Sequence, residues 1–131
     1  MYLSKFTDYS FRILIFLGHH PNELFTVDQL SGILNLSTHH IKKVIYNLAK
    51  NQYIDSAKGR NGGMKLTMDP HNINLGKILE ITEENLNIFE CFNSESNTCS
   101  LNGICRLKSV VNDALNSFKS EFYKYNLDDI L

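Results

Sequence analysis

The amino-acid sequence predicts a mainly α-helical protein with a small β-hairpin, arranged as a winged helix-turn-helix followed by a long C-terminal helix. Three observations predict this fold class: two capped amphipathic helices separated by three residues, two short strands on either side of a glycine-rich turn, and an apolar stripe near the end of the chain. We expect residues 1–70 to form the winged helix-turn-helix. We expect residues 71–131 to add a loop and the long helix within a single compact domain, since 131 residues is the size of one ordinary domain.

The first helices are predicted from apolar spacing and from capping residues. Residues 4–18 place apolar side chains at helical intervals. Thr26, with Gln29 three positions later, has the pattern of a capping box and predicts a short second helix. Ser37 is a second N-cap candidate, and the apolar residues after it predict a helix that ends near Lys50. These two helices make a helix-turn-helix.

A β-hairpin is predicted directly after the helix-turn-helix. Residues 53–57 and 64–68 have the composition of two short strands. Between them, Asn61-Gly62 suits the positive backbone angles of a tight hairpin turn. Pro70 ends the unit. A hairpin in this position is a wing.

Two further helices are predicted after the wing. A short one covers residues 75–82. In residues 106–125 the apolar spacing stays helical over about 20 residues, or roughly 30 Å. A compact winged helix-turn-helix does not require so long a stripe. We favour a dimer seam over packing on the helix's own domain, because helix-turn-helix proteins usually read paired half-sites.

Charge is divided unevenly along the chain. Through Met68 there are eight Lys/Arg and four Asp/Glu, whereas the remainder has five and ten, for a net charge of −1. The basic front half suggests a nucleic-acid surface. No apolar run approaches the roughly 20 residues that a membrane-spanning helix needs, and no signal-peptide pattern is present, so we expect a cytoplasmic protein. The histidine pairs show no nucleophile–base arrangement, so no enzymatic activity is expected.

The second helix of the helix-turn-helix is the predicted recognition helix, whose amino end faces the major groove. Hydroxyl and imidazole groups can bond base edges, while lysines and the helix N-terminus can hold phosphates. In the wing, Arg60 can enter a narrow minor groove. The alternative for the two histidines and the wing is an exposed polar surface without a DNA role. The expected contacts to double-stranded operator DNA are Ser37, Thr38, His39, His40, Lys42, Lys43, Lys58, Arg60 and Asn61.

All three cysteines, Cys91, Cys99 and Cys105, lie within fifteen residues in a C-x7-C-x5-C spacing. An odd number without export signals disfavours disulfides, and structural zinc usually takes pairs of ligands two to four residues apart. An iron–sulfur cluster tolerates a wider wrapping loop, because each iron needs only one thiolate. A four-corner cluster would then lack one protein ligand, leaving that corner to a non-cysteine residue or a small molecule. Three ordinary thiols, or a clusterless redox switch, are the alternatives.

Together these features resemble the IscR/RirA/NsrR group of iron–sulfur winged-helix regulators. The matching segments are residues 3–9, the KGRNGG motif at 58–63, the three cysteines and residues 125–131, so the resemblance covers essentially the whole chain. The wing motif is general to the group, whereas the cysteine spacing is more selective. The resemblance is strongest to the nitric-oxide-sensing branch. Lys108 stands where IscR-like members have a histidine ligand, and Asp8 is an acid that RirA-like members typically lack.

The resemblance implies a homodimeric repressor that senses nitric oxide through a [4Fe–4S] cluster, which is favoured over a [2Fe–2S] cluster. It implies that Cys91, Cys99 and Cys105 hold the cluster and that Asp8 of the partner subunit supplies the fourth ligand. From the local sequence alone, Asp8 is an exposed first-turn acid. Nitric oxide would displace the weakly bound carboxylate, and nitrosylation would release the operator. An iron- or cluster-status-responsive regulator of the same fold and a clusterless cysteine-thiol switch are the alternatives.

Overall fold

The computed structural model describes residues 1–131 as five α-helices, one two-stranded sheet and three 3₁₀ turns. This architecture confirms the predicted fold class. None of the helices is both long enough and apolar enough to cross a membrane. The helices are α1 (Lys5–His19), α2 (Val27–Leu34), α3 (Thr38–Lys50), α4 (Leu75–Thr82) and α5 (Leu107–Tyr123), the strands are β1 (Ile54–Ala57) and β2 (Gly63–Leu66), and the 3₁₀ turns are Pro70–Asn72, Glu90–Phe92 and Leu127–Ile130.

One cluster of fifteen buried apolar residues forms the core. It joins α1, α2, α3, the wing and α4, and it includes Ile13 and Leu14 of α1, which are completely buried. Leu127 of the last 3₁₀ turn is also completely buried in this cluster. Its amide donates to the carbonyl of Ile73 at 2.8 Å. The C-terminal turn is therefore packed against the helix-turn-helix.

The capping residues of the helix-turn-helix act as predicted. The Thr26 hydroxyl accepts from the Gln29 amide at 3.2 Å, and the Gln29 side chain accepts from the Thr26 amide at 2.9 Å, which completes the capping box. Asn35 ends α2 in the left-handed conformation with φ 53°. The Ser37 hydroxyl then accepts from the His40 amide at 3.3 Å and starts α3. Side chains therefore satisfy the free amides at both helix starts.

The wing hairpin is shorter than predicted, and its turn is of a different kind. β1 and β2 pair antiparallel, with Ala57 opposite Gly63, so five residues form the loop between them. The prediction of positive backbone angles at Asn61-Gly62 is wrong, because the positive φ of the loop lies at Gly59 (106°). Gly62 is needed for a different reason: a Cβ there would come within 2.3 Å of the Ala57 carbonyl oxygen. Its amide donates to the Gly59 carbonyl at 3.0 Å and closes the loop.

α4 has the predicted bounds, whereas α5 is shorter than the predicted 106–125. Hydrogen bonds to the start of α4 hold the end of α5. The Asn74 side chain donates to the Tyr123 carbonyl at 2.9 Å, and the Leu75 amide donates to the Tyr125 carbonyl at 3.0 Å. The two helices meet at Gly76, where a Cβ would come within 2.4 Å of the Tyr123 ring. Tyr125 therefore lies outside the helix.

Part of the apolar stripe on α5, mainly in the amino half of the helix, is not covered by its own chain. Leu115 is the one buried residue of this helix. Leu107 is 55% exposed and Val110 is 62% exposed. Packing within the domain therefore accounts for only part of the stripe, and its use as a dimer seam stays a prediction.

Candidate DNA interface and cysteine loop

α3 has one buried face and one exposed face. Ile41, Val44 and Leu48 are completely buried, at the spacing of three and four residues that places side chains on one side of a helix. Their burial turns the polar side chains at the amino end of the helix outward. All the predicted contacts on this element are exposed: Ser37, Thr38, His39, His40, Lys42 and Lys43.

The imidazole of His40 is held by two neighbours. Its Nδ1 lies 2.7 Å from the Ser37 hydroxyl, which also caps α3. Its ring meets the edge of the Tyr9 ring with 5.5 Å between the centroids. Tyr9 belongs to α1, so α1 contacts the recognition helix at a predicted DNA-reading side chain. His40 is thus oriented before any partner arrives, while Nε2 makes no hydrogen bond within the chain.

A cleft of about 450 Å³ separates α3 from the wing. Lys42 and Tyr46 line it from the helix, and Gly59 and Gly62 line it from the wing loop. Tyr46 is 71% exposed and lies one helical turn after Lys42. Sequence reasoning missed Tyr46 as a candidate contact. Its signal was an aromatic residue at the i+4 position on the polar face of the recognition helix.

The predicted wing contacts lie on the loop between β1 and β2. Lys58, Arg60 and Asn61 are all exposed. The three ion pairs of the chain involve Arg12, His71 and Lys124 as cations. The exposed cations of α3 and of the wing loop therefore have no carboxylate partner within the chain. Such cations can bind phosphates without breaking an ion pair.

On α1, Asp8 forms a two-point ion pair with Arg12. The Arg12 Nε and Nη2 atoms donate to the two Asp8 oxygens at 2.9 and 2.7 Å. Hydrogen bonding to Asp8 raises the pKa of Arg12. The same guanidinium lies 5.6 Å from the centre of the Tyr9 ring. The Asp8 carboxylate is thus half-exposed and paired, and Arg12 connects it to the aromatic ring that touches His40.

The amino end of α1 is also joined to the end of α4. One oxygen of Glu83 accepts from the Thr7 hydroxyl at 2.6 Å and from the Ser4 amide at 2.8 Å. Thr7 is completely buried. Sequence reasoning missed this contact, because the partners are 76 and 79 residues apart and no local pattern marks them.

The three cysteines lie in the segment between α4 and α5. All three are free thiols and are half-buried. No group of three or more His, Cys, Asp or Glu side chains converges at the distances that a single metal ion needs, so no mononuclear site is present. Asp8 is not grouped with the cysteines of its own chain either. The resemblance implies that the fourth ligand comes from a partner subunit, and this role of Asp8 stays a prediction.

The donor set still fits an iron–sulfur cluster. A cluster takes each thiolate at a separate iron, so its ligands need not meet at one point as they do around zinc. The segment has one glycine in the left-handed region, Gly103 with φ 92°, which lets the chain bend between Cys99 and Cys105. Three unpaired thiols on an irregular, partly exposed segment are the ligands that such a cluster uses.

Two contacts give the cysteine segment its shape. The Oε1 atom of Glu90 accepts from the Thr98 amide at 2.7 Å and from the Thr98 hydroxyl at 2.5 Å, and these bonds lower the pKa of Glu90. The Lys108 ammonium lies 5.8 Å from the centre of the Phe92 ring. Lys108 is in the first turn of α5, so this contact joins α5 to the 3₁₀ turn that contains Cys91.

Comparison with known proteins agrees with the fold. Residues 3–131 match the Rrf2 family, which is described as an iron-dependent transcriptional regulator. The HTH-type transcriptional regulator NsrR of Halalkalibacterium halodurans is 45% identical over 132 aligned residues, which cover 100% of this chain and 90% of that protein. NsrR of Bacillus subtilis is 41% identical with the same coverage.

Among solved structures, T. potens IscR is similar with a TM-score of 0.76. That match covers 99% of this chain and 85% of the other at 21% identity, and it bears on the fold alone. The family match extends over nearly the whole chain, and the relatives are named as helix-turn-helix regulators of transcription. The chain therefore belongs to the Rrf2 family and is a DNA-binding transcriptional regulator.

Proposed function

We propose that this regulator is a homodimeric repressor that holds an iron–sulfur cluster and releases operator DNA in response to nitric oxide. The observation that carries the proposal is the set of three free, half-buried thiols in one segment. Its support is the 45% identity to a regulator named NsrR over the full chain. The nitric-oxide signal itself comes from the resemblance of the sequence to the nitric-oxide-sensing branch.

Operator DNA would bind across α3 and the wing. The amino end of α3 is the part that enters the major groove, where His39 and His40 can bond base edges. Lys42 and Lys43 lack carboxylate partners and would neutralise phosphates. In the wing loop, Arg60 would reach the adjacent minor groove.

A second copy of the chain would cover the exposed face of α5. A groove of about 410 Å³ on this face has an entirely apolar lining, which includes Val110, Ala114 and Phe118 of α5. The end of α5 is held to α4 by the Asn74 and Leu75 hydrogen bonds. Pairing two α5 helices would therefore set the separation of the two recognition helices, which must match half-sites about 34 Å apart.

The cluster would be held by Cys91, Cys99 and Cys105, with Asp8 of the partner subunit as the fourth ligand. When bound, it supplies iron that binds nitric oxide, most readily where the existing ligand is a hard carboxylate and not a thiolate. Arg12 competes for the same carboxylate, since it pairs with Asp8 within its own chain. Asp8 thus has two alternative partners, and Arg12 would be free only when Asp8 is bound elsewhere.

The pairing of Asp8 and Arg12 is connected to the recognition helix by direct contacts. Arg12 lies on the Tyr9 ring, and the edge of that ring packs on His40. His40 in turn contacts Ser37, the N-cap of α3. If Asp8 changed its partner, the contacts of Arg12 with Tyr9, and through Tyr9 those of His40, would therefore change as well.

The test is to purify the protein without oxygen, record its visible spectrum, and titrate nitric oxide while measuring binding to duplexes selected from a random pool by the untreated protein. We expect a broad band near 400 nm, with iron and sulfide bound, that bleaches as the duplex is released. Cys99→Ser should remove the band. Asp8→Asn should alter the nitric-oxide titration, whereas Asp28→Asn, another first-turn acid, should not.

The same experiment separates the alternatives. A stable band that responds to iron depletion and not to nitric oxide would favour an iron-status regulator. A protein that stays colourless despite anaerobic handling and iron supply would exclude the cluster. If DNA binding by such a protein then followed thiol oxidation, the three free cysteines would act as a redox switch.

A further inference from the structure

Cys91 lies between Glu90 and Phe92, and each of these two residues contacts a residue close in sequence to another cysteine. Glu90 precedes it and accepts two hydrogen bonds from Thr98, the residue immediately before Cys99. Phe92 follows it and lies under the ammonium of Lys108, three residues after Cys105. We call these two contacts the cysteine frame. One connects the segment at Cys91 to the residue before Cys99, and the other connects it to the helix that follows Cys105.

We propose that the cysteine frame sets the separations of the three thiols before a cluster is inserted, so that Glu90 and Lys108 are positioning residues for a cluster they do not ligate. This inference rests on the proposed iron–sulfur cluster and deepens it. It also gives a role to Lys108, whose ammonium contacts the Phe92 ring.

The Glu90–Thr98 contact closes the widest gap between the cysteines. Seven residues separate Cys91 from Cys99, and an open loop of that length samples many end-to-end distances. Two hydrogen bonds to one carboxylate oxygen reduce this freedom. The Asn97 side chain accepts from the Cys99 amide at 3.0 Å and orders the backbone at the second cysteine.

The Phe92–Lys108 contact acts between the loop and a helix. Lys108 is in the first turn of α5, and Cys105 lies just before that helix begins. Phe92 ends the 3₁₀ turn that contains Cys91, and its amide donates to the Phe89 carbonyl at 3.0 Å. A cation over an aromatic face is directional, so this contact orients the turn relative to α5.

The first test measures the frame without any cluster. Nitroxide labels are attached to Cys91 and Cys99 in clusterless protein carrying Cys105→Ser, and their dipolar broadening reports the spread of separations. We expect Glu90→Ala to widen the spread and Glu90→Gln to keep most of it, since one side-chain oxygen accepts both bonds. Glu95→Ala is the control, because the Glu95 side chain makes no hydrogen bond in the same loop. If the label separations had the same spread in Glu90→Ala and in the parent protein, the proposal would be overturned.

The same design applies to the second contact. Labels on Cys91 and Cys105, in protein carrying Cys99→Ser, should report a wider spread for Lys108→Met and a nearly unchanged spread for Lys108→Arg, which keeps a cation over the ring. Helix content is followed by circular dichroism in the same variants. The proposal would be contradicted if the spread of label separations followed helix content and not the charge at position 108.

The second test measures iron retention in the loaded protein. We expect Glu90→Ala to shorten the half-life of bound iron in a chelator by about tenfold, as the loss of two hydrogen bonds predicts, and Glu90→Gln to restore most of it. Unchanged half-lives would overturn the role of the frame. If no variant and no parent binds a cluster, the proposed function fails, and the label separations alone then decide whether the frame exists.

Discussion

The carboxylate of Glu83 accepts a hydrogen bond of 2.6 Å from the hydroxyl of Thr7, which is completely buried at the start of α1. The same oxygen accepts from the Ser4 amide at 2.8 Å. One side chain at the end of α4 thus satisfies two donors at the amino end of the helix that carries Asp8.

Glu83→Ala should lower the free energy of unfolding, because it removes the acceptor of the Ser4 amide and one of the two partners of the Thr7 hydroxyl. The expected loss is about 1–3 kcal/mol, measured by urea denaturation. Glu84→Ala is the matched control, since Glu84 is exposed and makes no side-chain hydrogen bond. Equal losses in the two variants would show that the Glu83 contact adds nothing to stability.

Two helical glycines should respond in opposite directions to substitution by alanine. At Gly76 of α4, a Cβ would come within 2.4 Å of the Tyr123 ring, so Gly76→Ala should cost about 1–3 kcal/mol of stability through overpacking. At Gly32 of α2, nothing lies within 4 Å of the added atom, so Gly32→Ala should gain about 0.5–1 kcal/mol. Thermal unfolding of both variants checks the sign. Stabilisation by Gly76→Ala would mean that α4 and α5 are packed differently.

Two neighbouring side chains in the cleft between α3 and the wing should have separable effects on DNA binding. Lys42→Gln should weaken operator binding and reduce the slope of log affinity against log salt by about 1, as expected for one lost phosphate contact. Tyr46→Ala should weaken binding and leave that slope unchanged, because the side chain carries no charge. Lys77→Gln, an exposed lysine on α4, is the control. A salt slope unchanged in Lys42→Gln would remove Lys42 from the phosphate contacts.

The ion pair between His71 and Asp128 should make stability depend on pH. Hydrogen bonding to Asp128 at 2.9 Å raises the pKa of His71 above its usual value of 6.5. The pair therefore stabilises the fold below pH 6.5, while Asp128 is ionised, and this contribution is lost as pH rises through the raised pKa. The stability difference between the parent and His71→Gln should be largest near pH 5.5 and absent at pH 9. His19→Gln provides the control, since His19 has no carboxylate partner.

A charge on the exposed face of α5 should separate the proposed dimer. Val110 is 62% exposed and lines the apolar groove, so Val110→Glu would place an acid on the proposed pairing surface. We expect sedimentation to show a monomer with unchanged helix content and with weaker operator binding. Asn112→Glu, on the same helix and exposed, should remain dimeric. A dimer that survives Val110→Glu would place the interface elsewhere.

Local patterns predicted the elements of this fold, whereas the contacts that join them could not be predicted from the sequence. The capping box at Thr26 and the N-cap at Ser37 act within three residues, so the sequence contains both partners side by side. Gly62 was correctly identified as a turn glycine, but for the wrong reason. Glycine is required there because a Cβ would clash with the Ala57 carbonyl across the hairpin. The Glu83–Thr7 bond depends on how α4 docks on α1, and no periodicity encodes that.

In the candidate site, too, local patterns predicted some features, whereas features that depend on the packing of two elements were missed. The exposure of the predicted side chains on α3 follows from the apolar face of one helix, and their contacts with DNA stay predictions. Tyr46 was missed because its relation to the wing appears only when two elements are packed. The ligand roles of the cysteines and of Asp8 stay predictions. They concern a bound group and a second subunit, neither of which local spacing can define.

The anchoring of Leu127 gives the two ends of α5 unequal freedom. Its carboxyl end leads within a few residues into the core of the helix-turn-helix, whereas its amino end is attached to the cysteine segment. A rearrangement of that segment would therefore tilt α5 about its fixed end instead of sliding it. Seventeen residues give a lever of about 25 Å, so a small tilt changes the position of the far end by several ångströms. In the proposed dimer, this geometry would convert a local change at the thiols into an angular change between the two subunits.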